Sequence, residues 1–114
     1  MITRDARTYV KDYLKQNIRY KIGTGGDSTN PNATDLDAPL DASLLTGVTV
    51  NDSGESTIDY SVTINGSTYL GQTIKEIGIF STTNNTLICR VNYDGIGPLT
   101  ATDEIEFLIT LEVD

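Results

Sequence analysis

The 114-residue chain contains no histidine, one cysteine and one methionine. Without histidine it lacks the commonest general base, the commonest metal ligand and the usual partner of a catalytic Ser or Cys. A lone thiol, Cys89, forms no intrachain disulfide, and no metal-type cysteine spacing exists. Cys89 lies in an apolar strand run, where it reads as a small buried hydrophobe rather than a reactive thiol. No apolar run approaches a membrane span, and the opening MITRDARTYV lacks the apolar core of a secretory signal. The expectation is a chain made in the cytosol with no membrane partner and no cofactor. Its catalytic repertoire is confined to carboxylates, lysines and tyrosines.

What is present is polar and turn-rich. Hydrophobic residues make up 38% of the chain, while Thr, Asn, Asp, Gly and Ser abound. That bias favours one small domain of strands joined by polar turns over a helical bundle. The net charge of −8 is unevenly spread. Residues 1–21 hold six cations and two acids, a balance of +4, and residues 22–114 hold two cations and fourteen acids, a balance of −12. An acidic body repels phosphates, so nucleic acid is not an expected partner. Six tyrosines against two phenylalanines suit protein interfaces, and equally suit strands.

The spacing predicts a helix over residues 3–18, capped by Thr3, with Asp5 in the first turn. Ala6, Val10, Tyr13, Leu14 and Ile18 form an apolar stripe, and Arg4, Arg7, Lys11 and Lys15 a basic ridge. The helix then either packs on its own domain or serves as a basic arm for an acidic partner, with Tyr9 and Tyr13 as further interface candidates. Residues 1–19 are taken as this helical segment and 20–114 as a β-domain.

Residues 23–56 read as a connector broken by Gly23, Gly25, Gly26 and prolines, tacked down by Leu36 and Leu40, with a short strand near Thr46–Val50. From Thr57 the strand period is plain: Ile58, Tyr60, Val62 and Ile64 alternate with polar residues. Asn65-Gly66 follows, a pair that predicts a two-residue hairpin turn. Runs at Thr73–Ser81 and Thr86–Tyr93 flank a polar turn, and Ile105–Val113 closes the chain. The predicted fold is mainly β, a small antiparallel β-sandwich preceded by one N-terminal amphipathic helix.

Three constellations invite chemistry. GTGGDST lacks the lysine and spacing of a nucleotide phosphate loop, and Ser28 stands where a dinucleotide fingerprint needs glycine. The glycines are therefore read as a turn off a strand. Asp35, Asp37 and Asp41 alternate as calcium ligands do, although the loop glycine and terminal glutamate are missing; the plainer reading is a solvated acidic surface. Paired carboxylates would serve glycoside cleavage, yet nothing singles out one pair among fourteen acids.

Two stretches resemble a known family. "YKIGTGGDSTNPNATDLDAPL" is similar to the glycine-rich segment near the start of phage tail-collar fibre proteins and related small virion proteins. "TIKEIGIFSTTNNTLICRVNY" resembles their second signature, an E-[IV]-G-[ILV]-[FY] strand carried here by Glu76, Gly78 and Phe80. A polar turn and a closing strand like "DEIEFLITLEV" follow it. In that family the domain is a β-rich module attaching fibres or appendages to the tail or baseplate. Two departures shape the expectation: no fibre shaft or receptor-binding tip follows, and a basic helix precedes the module. The resemblance therefore implies a non-enzymatic adaptor, collar, baseplate or fibre-attachment subunit of the virion, assembled in the host cytoplasm. It would dock on other virion proteins as a symmetric ring or trimer. The rival readings are a carbohydrate- or calcium-binding β-sandwich and a small carboxylate-based hydrolase. Gly78 admits a structural role, since a strand glycine permits a bulge or close backbone approach.

Overall fold

The computed structural model describes residues 2–26 and 30–113. Thr3 caps the first element, its hydroxyl accepting the Ala6 amide at 3.2 Å, and helix α1 runs Arg4–Leu14. It stops four residues short of the predicted end. Asn17 adopts a left-handed conformation (φ 53), which Asn tolerates better than most residues, and the chain leaves as strand β1, Ile18–Gly23. Ile18 fits a helical stripe and a strand equally well by spacing. The turn at Asn17 assigns it, with Arg19, to the sheet.

Five further strands follow: β2 Thr49–Asp52, β3 Thr57–Asn65, β4 Ile74–Ser81, β5 Thr86–Ile96 and β6 Glu104–Glu112. They form two three-stranded sheets, ordered β1-β4-β5 and β2-β3-β6, with every neighbouring pair antiparallel. The core lies between them. Tyr20 and Ile22 of β1, and Ile77 and Ile79 of β4, face Ile58, Tyr60, Val62 and Ile64 of β3 and Phe107 and Ile109 of β6. Each such side chain contributes about 1.5–3 kcal/mol through its removal from water. The rings of Tyr93 and Phe107 meet at 5.4 Å between the two sheets.

Two local expectations need correction. The short strand near Thr46–Val50 sits at Thr49–Asp52, where it makes a hairpin with β3 through Ser53–Ser56. Asn65-Gly66 is not a hairpin turn: β3 ends there, and the chain crosses to β4 in the opposite sheet. Neither residue has a positive φ. Gly66 is required for proximity instead, because its amide donates to the Asp103 carbonyl at 2.7 Å and a Cβ would strike the Thr100 carbonyl. The Asn-Gly signal is local, whereas the choice of partner sheet is decided by β6, which pairs with β3 along its whole length.

Candidate functional site

Strand β4 is central in its sheet and buried on both faces. Ile77 and Ile79 point into the sandwich, and Glu76, Gly78 and Phe80 point outward, yet all five are buried. The outward three are covered by the connector between β1 and β2. Its backbone hydrogen-bonds along the free edge of β1: Thr24 N–H to Ala38 O, Leu40 N–H to Ile22 O, and a reciprocal pair between Tyr20 and Leu45. The part ahead of Ala38 folds over the outer face of the sheet.

Glu76 holds it there. The carboxylate is fully buried and accepts three backbone amides, Gly25 at 2.7 Å and Ala38 at 2.8 Å on Oε2 and Asp37 at 2.9 Å on Oε1. Backbone amides converging on an anion are the hallmark of a phosphate-binding loop. Here Gly25 of the glycine segment joins Asp37 and Ala38 in cradling a carboxylate, which belongs to the same chain. Gly23 and Gly25 make the approach possible. A Cβ at Gly23 would lie 2.7 Å from Glu76 Oε2, and one at Gly25 would strike both that oxygen and Asp37. Gly26 meets nothing, so the first two glycines are explained by packing and the third is not.

One row along, Gly78 leaves room for Leu36, which is 6% exposed and would lie 2.8 Å from a Cβ at that position. Phe80 and Leu87 complete this second apolar cluster, and the Lys21 ammonium sits 5.7 Å from the Phe80 ring centroid. The predicted Leu36 anchor is therefore seated on the motif strand itself. Leu40, the other anchor, packs against the main core.

The three candidate calcium ligands go separate ways. Asp35 pairs with Lys21 at 3.3 Å, Asp37 with Arg90 at 2.9 Å, and Asp41 accepts the Tyr69 hydroxyl at 3.1 Å. Among the described residues no group of three or more His, Cys, Asp or Glu side chains gathers as a metal would require. The first two pairs instead rivet the connector to β1 and β5. Sequence reasoning missed Lys21, Arg90 and Tyr69 as partners. No local spacing carried the signal, because Lys21 and Arg90 lie far apart in the sequence on β1 and β5, either side of β4.

The helix reverses its expected orientation. Its basic ridge faces inward onto the acidic β2–β3 hairpin: Arg4 and Arg7 reach Glu55 at 2.9 and 3.3 Å, and Lys11 and Lys15 each reach Asp52 at 2.7 Å. Lys11 is only 8% exposed, and its ammonium meets three acceptors: Asp52, Gly54 O at 2.7 Å and Glu55 O at 3.3 Å. Three N–H groups are thereby matched. Lys15 and Asp52 also shift one another. Hydrogen bonds from Lys11 and Lys15 hold the Asp52 carboxyl below its usual range, and the Asp52 bond raises Lys15. The buried Tyr60 hydroxyl donates to Leu14 O at 2.7 Å and ties the helix end to the core. Burial pushes that phenol well above its usual range.

The four basic candidates are thus engaged within the chain; of the predicted apolar stripe Leu14 and Ile18 pack against the core, while Ala6 and Val10 face outward with the interface candidate Tyr9. Tyr9 is 78% exposed, Val10 is 37% exposed, and Ala6 is exposed as well. Tyr13 is half-buried, its hydroxyl accepting from Asn84 at 3.1 Å. A shallow groove of about 290 Å³ runs beside it, lined by Tyr9, Asp12, Tyr13 and Gln16. No helix of the described residues is long and apolar enough to cross a membrane. No family model matches the chain, and no curated protein matches it.

Proposed function

We propose that the protein is a non-enzymatic structural subunit of a tailed-phage virion, a small adaptor, collar, baseplate or fibre-attachment piece. It acts by docking on other virion proteins, with its copies arranged by the symmetry of the particle. One observation carries this reading. The two stretches that resemble tail-collar proteins, the glycine-rich segment and the E-x-G-x-F strand, are halves of one packed unit joined through Glu76. A motif whose residues serve only to pin a connector on a sheet suits a rigid attachment module. Glu76, Asp35 and Asp37 are spent on backbone amides and ion pairs, so they reinforce the module instead of facing a substrate.

Protein mass spectrometry of purified particles from the source virus tests this directly. The chain should be recovered in fixed ratio to the tail proteins. A chain abundant in infected cells and missing from washed particles would sink the proposal.

A further inference from the structure

We infer that the outward face of α1 is a docking surface for a basic amphipathic segment of another protein. Ala6, Tyr9 and Tyr13 follow one another at steps of three and four, the seam of a helix-to-helix contact, and Ile2 lies just ahead of the Thr3 cap. An ordinary surface helix turns such a seam toward its own core. Here Ile2, Ala6 and Tyr9 are exposed, because ion pairs and Leu14 hold the opposite side. An apolar stripe turned to water on a helix so firmly held marks a contact site.

Charge selects the occupant. Asp5 and Asp12 lie beside the seam, both exposed; Arg7 and Lys11 point to the hairpin, and Lys15, bound to Asp52 at 2.7 Å, reaches Asp12 only at 3.5 Å. Arg4 also spends its guanidinium on Glu55. A second copy fits poorly: two antiparallel α1 helices would set Asp5 of one against Asp12 of the other, within a chain of net charge −8. A basic partner finds both halves of its chemistry. Apolar side chains meet the seam, and a Lys or Arg enters the groove between the Tyr9 and Tyr13 rings, one helical turn apart, beside the Asp12 carboxylate. This inference rests on the docking reading above and names the face and the partner's chemistry.

Two synthetic amphipathic helical peptides with the same apolar face, one flanked by Lys and Arg and the other by Glu, test it on the full chain by fluorescence anisotropy. The basic peptide should bind and the acidic one should not. Tyr9→Ser and Asp12→Asn should each weaken the basic peptide about two- to fivefold, the size of an exposed cation–π contact or ion pair. Equal binding of both peptides, no binding of the basic one, or wild-type affinity in Tyr9→Ser would overturn the inference. So would a dimer in sedimentation equilibrium that Tyr9→Ser abolishes, since the occupant would then be a second copy. These readouts use purified protein, so they stand apart from the particle measurement, whose failure would remove only the virion assignment.

Discussion

The carboxylate of Glu76 lies 2.7 Å from the amide nitrogen of Gly25, with no solvent reaching the side chain. The same group takes the amides of Asp37 and Ala38, so one residue of β4 fixes two separate points of the connector. Hydrogen bonds to an ionised acceptor contribute about 1.5–3 kcal/mol each, and stranded buried donors carry a further cost. Glu76→Ala should therefore destabilise the fold by roughly 3 kcal/mol or more in urea unfolding. Glu76→Gln should fall between the two, because its NH₂ opposes one of the donors. A Glu76→Ala protein as stable as wild type would refute the cradle.

The glycines separate by position. Gly25→Ala and Gly78→Ala place a methyl against Glu76 and Leu36, and overpacking of this kind costs about 1–3 kcal/mol. Gly26→Ala meets nothing within 4 Å and should leave the melting temperature within error. Parallel thermal melts of the three variants check the contrast.

Helix docking is electrostatic, so it should answer to pH and salt. Asp52 is held below its usual 3.8, chiefly by the Lys11 hydrogen bond, and its contribution is complete above 3.8 and disappears as pH falls through the lowered value. Lys15 is raised above 10.5, so its contribution is complete below 10.5 and fades as pH climbs through the raised value. Hydrogen exchange should show the α1 amides losing protection at both extremes before those of β3. Added salt should have little effect on Lys11, whose ammonium is buried, and more on the exposed Arg4 pair. Replacing Lys11 with Met should cost roughly 2 kcal/mol through lost hydrogen bonds.

The thiol of Cys89 should be slow. Burial pushes its pKa up to about 11, against an ordinary 9.0. Since the thiolate is the reactive form, labelling by a disulfide reagent at pH 8 should run about a hundredfold slower in the folded chain than in urea. Comparable rates in the two states would show that β5 opens freely.

Some of this was legible in the sequence for a physical reason. Ile58 to Ile64 and Ile105 to Val113 alternate with period two because each strand has one face in the core and one in water, so β3 and β6 fall where expected. The β4–β5 hairpin was equally plain, its polar turn carrying Asn85 at φ 51. The helix failed in two ways. Ile18 satisfied both periods, and the inward face depended on Asp52 and Glu55, far along the chain and invisible to any local window. Glu76 showed only its parity. That a surface-parity carboxylate would be buried required knowing that a connector from before β2 returns over β4.

The order in which the strands join their sheets has a kinetic consequence. Hairpins β2–β3 and β4–β5 close short loops, but Ile18 must find Ser81 and Thr57 must find Glu112. Closing such distant contacts costs chain entropy before any burial repays it, which places folding in the range of about milliseconds to seconds. The first and last strands are then the last to seat. Until they do, both central hairpins expose edges that another nascent chain can pair with, and high synthesis rates favour aggregation over assembly.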